Sequence, residues 1–136
     1  MVRKELVEKL SLLNVFPTTV EKSAGIFERG RTLEDIRKEA DLGTCGNEQF
    51  IYFHLEALFG YDPDYKTRFL AEAQNKLGNA GIKQEHVAEY FQIGADPGLV
   101  FMFRHETEYN PDVRTTFYQR ANQFALDKIR EWLEIK

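Results

Sequence analysis

The sequence predicts an all-α fold: a single compact bundle of seven or eight short helices, with the 50–59 helix central and a long C-terminal helix. Three observations predict it. Apolar residues recur three and four apart, the spacing that puts them on one face of a helix. Asp62-Pro63, Asp96-Pro97 and Asn110-Pro111 each set an Asx cap before a proline suited to the first helical position. The one strand-like run, Leu99-Val100-Phe101-Met102-Phe103, has no second run to pair with and reads as a short buried helix.

The elements follow in order. Leu6, Leu10 and Leu13 form the first stripe, which stops near Asn14 and Pro17. Thr18 with Glu21 has the form of a capping box for a second helix, with Val20, Ala24 and Phe27 inward and Gly30 as its stop. Thr32 caps a third helix through Leu42, burying Leu33, Ile36 and Ala40. Gly43-Thr44-Cys45-Gly46 reads as a loop and Asn47 as the next cap. The segment Phe50 to Phe59 is apolar on nearly every side, which places it mid-bundle, and Gly60 is its expected stop. After Pro63 comes the ladder Tyr65, Phe69, Ala73, Leu77, ending at Gly78. Residues 82–93 bury Val87, Tyr90 and Phe91. After Pro111 a long helix carries Val113, Phe117, Ala121, Phe124 and Ala125 on to Ile129, Trp132 and Leu133.

The chain has 136 residues, 43% hydrophobic and 29% charged, which fits one domain over 1–136 able to bury a core without a metal or disulfide staple. No apolar run approaches the roughly 20 residues of a membrane span, and Met1-Val2-Arg3-Lys4-Glu5 leads into a charged amphipathic segment. The single Cys45 fits a reducing compartment, so the expectation is a soluble, cytoplasmic protein. The net charge of −4 is unevenly spread. Residues 1–43 carry eight basic and eight acidic side chains, 44–112 five and eleven, and 113–136 five and three. A phosphate-binding domain would show a basic stripe, and none is visible.

Chemistry-bearing motifs are sparse. The residues three before His54, His86 and His105 are Ile51, Lys83 and Met102, so the Glu-x-x-His pairs of helical carboxylate metal sites are absent. One cysteine cannot build a structural zinc site. No metal or cofactor is therefore expected. His86 with Glu89, and His105 with Glu108, have the spacing of a general acid–base pair, which keeps a small enzyme open as a third reading. His54, inside the apolar segment, reads as a buried histidine bonded to a backbone carbonyl. Cys45 precedes a helix N-terminus, where thiolates are stabilised, but no base to activate it is identifiable.

Two segments resemble helix-turn-helix DNA-binding modules. Thr32 to Leu42 looks like a first helix and turn, with Asn47 to Phe59 in the recognition position. Gln84 to Ile93, with Ala88 after Val87, is the second, followed by Leu99 to Phe103. The resemblance implies a DNA-binding regulator, the alternative function, dimerising through the C-terminal helix. Arg37, Asp41 and Gln92 depart from the small or glycine residues of that pattern, and both recognition segments are apolar where base readout needs polar and basic side chains.

The leading expectation is a small helical protein-binding module, an inhibitor, antitoxin, immunity factor or phage-encoded blocker, and not an enzyme. Its expected surface is Tyr61, Asp62, Asp64, Tyr65, Glu106, Glu108, Tyr109 and Asp112, tyrosines among acids at helix starts and loops. The expected partner is another protein, one with a basic surface, with nucleic acid less favoured and no membrane.

Overall fold

The computed structural model describes residues 3–35, 44–78, 84–93 and 111–134, with the backbone alone for 44–49, 84–85, 92–93 and 111–116. Among these residues the regular structure is all helical, as expected. The remainder of the third helix, the Asp96-Pro97 cap, the 99–103 segment and His105 lie outside the described residues.

Helix α1 spans Arg3–Ser11 and buries Leu6 and Leu10; Leu13, in the turn that follows, is buried too. Asn14 takes a left-handed φ of 57°, a conformation asparagine tolerates better than most residues. Helix α2 spans Pro17–Phe27. Here the expected capping box is corrected: Pro17 opens the helix instead of lying before it, and Phe16 stands at the N-cap with no side-chain bond. Proline's fixed φ already suits the first turn, so it moves the helix start ahead of Thr18. Val20, Ala24 and Phe27 are buried as expected, joined by Ser23 and Ile26. The helix ends three residues before Gly30, whose φ of 81° turns the chain. Thr32 Oγ1 then accepts from the Asp35 amide at 3.1 Å while the Thr32 amide donates to Asp35 Oδ2 at 3.2 Å, a reciprocal cap on the helical turn at 33–35.

Helix α3 spans Thr44–Tyr61. Its start corrects the expected loop: Thr44, Cys45 and Gly46 are helical, because a glycine in the first turn costs little against the packing of the apolar turns behind it. Gly60 is likewise inside the helix. The stop is Asp62, held at φ −136° and ψ 90° by the proline that follows it. Ile51, Tyr52, His54, Leu55, Leu58 and Phe59 are buried, and the helix packs on three others, α2, α4 (Pro63–Leu77) and α6 (Pro111–Trp132). This is the central helix the sequence predicts. α4 also packs on α5, Gln84–Ile93, and α1 on α2.

Rings from four helices meet at Phe69, with Phe59, Phe91 and Phe124 at centroid distances of 5.2, 5.0 and 5.1 Å. Beside them runs a buried polar link. Asn122 Oδ1 accepts from the hydroxyls of Tyr52 at 2.6 Å and Tyr90 at 2.9 Å, tying α3, α5 and α6 together. Burial, with Tyr90 and Tyr118 beside it, pushes the Tyr52 phenol well above its ordinary value. Among the described residues no helix is long and apolar enough to cross a membrane.

Candidate functional site

The sequence supplies a start for the site and the fold supplies the rest. Asp62 caps α4, its Oδ1 accepting from the Tyr65 amide at 3.1 Å, with Pro63 in the first turn. That cap fixes the direction in which α4 leaves α3. It brings the first two turns of α4 beside the last turns of α6, more than 60 residues on in the chain. The Tyr65 hydroxyl closes the junction by donating to the Lys128 carbonyl at 3.0 Å. Between the two helices lies a groove of about 370 Å³, lined by Asp62, Tyr65, Arg68, Glu72, Glu131 and Trp132 among others.

The groove's charges are held in a fixed order. Lys128 Nζ sits 2.5 Å from Glu72 and 2.9 Å from Glu131, and Glu72 also meets Lys76 at 3.1 Å. The hydrogen bond from Lys128 holds the Glu72 carboxyl below its ordinary value, with Lys76 acting the same way and burial opposing. Burial works against charge on Lys128, but its bonds to Glu72 and Glu131 prevail and its pKa rises. Burial, and then the nearby Glu131 and Glu72 carboxylates, push the Tyr65 phenol up. At neutral pH the groove therefore holds a carboxylate, an ammonium and a neutral phenol in set positions. Such an arrangement suits recognition by charge and shape.

Aromatic surface flanks these charges. Tyr61 is 56% exposed and stands edge-on to Trp132 at 6.2 Å, while Lys9 Nζ lies 5.2 Å from the Trp132 ring centre. An ammonium over an indole face is the geometry of a cation–π contact.

Of the expected surface residues, the structure brings Tyr61, Asp62 and Tyr65 to this groove, with exposed Asp64 on the same first turn of α4. Glu106, Glu108 and Tyr109 lie outside the described residues, and Asp112 is in the first turn of α6 with its side chain undescribed. The sequence reading missed Arg68, Glu72, Lys128, Glu131 and Trp132 as site residues. The Glu72/Lys76 and Lys128/Glu131 spacings were visible as helix-surface pairs, but nothing in them says that the two helices are neighbours.

The other candidates resolve as follows. His54 is fully buried, with Nδ1 3.1 Å from the Phe50 carbonyl and the ring edge-on to Phe27 at 5.6 Å, the structural role expected of it. Burial lowers its pKa, the backbone bond opposing in part. His86 is half-buried and Glu89 exposed, and Cys45 lies in the first turn of α3. The first helix-turn-helix candidate places α3 as the recognition helix, yet Ile51, Tyr52, Leu55, Leu58 and Phe59 are in the core. Among the described residues no three His, Cys, Asp or Glu side chains gather to hold a metal ion. Comparison of the chain with protein-family models, with curated proteins and with solved structures finds no match in any of the three.

Proposed function

We propose that this chain is a protein-binding module, of the inhibitor, antitoxin, immunity or blocking kind, acting through the acidic and aromatic surface at the α4–α6 groove. One observation carries the reading: two distant segments set Tyr61, Asp62 and Tyr65 against Glu131 and Trp132 around one groove. Tyrosine and tryptophan dominate binding energy at protein interfaces because they bring large area at low entropic cost. Glu72 and Glu131 are occupied by Lys128, so it is Asp62 and the exposed Asp64 at the start of α4 that favour a partner bringing basic side chains.

The test is affinity capture from source-cell lysate with and without nuclease, repeated with Tyr61→Ala and Asp64→Lys. Both residues are exposed, and neither is the α4 cap, so helicity is expected to hold. Asp62 is spared because its carboxylate caps the helix. The reading expects a nuclease-insensitive protein near one-to-one, lost tenfold or more in the variants. Recovery that depends on nucleic acid, or equal recovery by both variants, overturns it.

A further inference from the structure

On the protein-binding reading above, we infer that the end of the bundle where α1, α3 and α6 finish is a receptor for a basic side chain of the partner, arginine or lysine. Trp132 is its floor, and Lys9 is the group that the incoming side chain displaces.

The fold puts three helix ends in one place. Tyr61 is the last residue of α3 and Trp132 the last of α6, and their rings meet edge-on at 6.2 Å. Lys9 stands in the last turn of α1, its Nζ 5.2 Å from the centre of the Trp132 ring. A helix C-terminus carries roughly half a negative charge on its unpaired carbonyls, so cations are stabilised beside it. Three such ends around an indole, whose face also attracts cations, make a site for positive charge. Asp62 and the exposed Asp64 add carboxylates at the adjoining start of α4, where they offset the positive end of that helix. The cations of the neighbouring groove are engaged elsewhere, Lys128 by Glu72 and Glu131 and Arg68 over the Tyr65 ring.

Lys9 shows that the site holds a cation against competition. Glu5 lies four residues before it on α1, the order in which glutamate and lysine pair best on a helix. Yet among the described residues Lys9 makes no ion pair, and its ammonium lies over the indole instead. An ammonium with no carboxylate on it is lightly held, so a partner's basic side chain can replace it. Tyr61, 56% exposed, offers that side chain a second ring, and the groove lined by Asp62 and Trp132 gives it room to enter.

Anisotropy titration of a labelled hexa-arginine peptide with the full chain, in about 50 mM salt, tests this. Binding is expected to change the emission of Trp132, and a hexaglutamate peptide to leave it unchanged. Lys9→Ala is expected to bind hexa-arginine about two- to fivefold more tightly, the worth of one exposed cation–π contact. Lys4→Ala removes the same charge from an exposed position on the same helix and is expected to gain about 1.5-fold or less. In the Lys9→Ala background, Trp132→Phe keeps every charge and is expected to weaken binding about two- to fivefold. Should that variant lose its helical circular dichroism, the comparison of Lys9 with Lys4 decides. Equal gains in Lys9→Ala and Lys4→Ala overturn the proposal, as does a folded Trp132→Phe without effect, or no binding by either wild type or Lys9→Ala. These titrations need no lysate partner, so their failure sinks this inference alone, while a failed capture speaks against the protein-binding reading.

Discussion

Two buried polar side chains, Asn122 and His54, show how much single residues carry. Asn122 is the shared acceptor for Tyr52 and Tyr90, so Asn122→Leu leaves two buried hydroxyls without that partner. At about 1–3 kcal/mol for a stranded group, the expected loss is about 2–4 kcal/mol by urea denaturation. Tyr52→Phe, which leaves Asn122 still bonded by Tyr90, is expected to cost only about 1 kcal/mol. His54 gives a pH signature. Its native pKa lies below the ordinary 6.5 because burial disfavours the charged ring. As pH falls through 6.5 the unfolded chain takes up the proton first, so stability declines from there until the native pKa is passed. Above 6.5 the contribution vanishes. Urea midpoints at pH 5 and pH 7 are expected to differ in the wild type and to move closer together in His54→Leu. An identical difference in both proteins would remove His54 as the cause. Neither role is set by residue type alone, since an asparagine in a helix reads equally well as an exposed polar residue.

At the scale of elements, the helix starts teach the most. Asp62-Pro63 behaves as the sequence predicts, with the carboxylate on the Tyr65 amide, so Asp62→Ala is expected to cost about 1 kcal/mol and Asp62→Asn very little, by thermal denaturation. The α2 start departs from expectation because two start signals, Pro17 and Thr18, overlap, and the proline prevails. The uncapped Phe16 makes the converse prediction: Phe16→Asp is expected to gain about 0.5–2 kcal/mol, by thermal denaturation. The ends of α3 depart from expectation for a related reason. Gly46 and Gly60 look like stops, yet glycine only weakens a helix, whereas the Asp62-Pro63 step forbids its continuation.

For the whole molecule, α3 is the beam on which α2, α4 and α6 rest, and it buries six of the nine residues from Ile51 to Phe59. Leu55 is fully buried there, so Leu55→Ala is expected to cost about 2–5 kcal/mol. If the chain unfolds as one unit, far-ultraviolet circular dichroism and the fluorescence of the single Trp132 are expected to give superimposable urea transitions. Separated transitions would divide α6 from the rest. The ion pairs of the groove add little to this total, because Glu72 and Glu131 remain partly in water where such pairs are screened. What they do is fix the Lys128 ammonium between Glu72 and Glu131.

The sequence by itself determined the all-α class, the inward faces of α1, α2, α4 and α5 and of the described turns of α6, the Asp62-Pro63 start and the burial of His54. Each of these is a local property, fixed by side-chain periodicity, backbone restriction at proline or the polarity of near neighbours. It also marked Tyr61, Asp62 and Tyr65 as surface. Only the tertiary structure decided that these face Glu131 and Trp132, that Asn122 links three helices, and that Phe16 stands in water. Those are questions of which helix packs on which, and that choice is made by shape fit summed over whole faces, which no window of sequence contains.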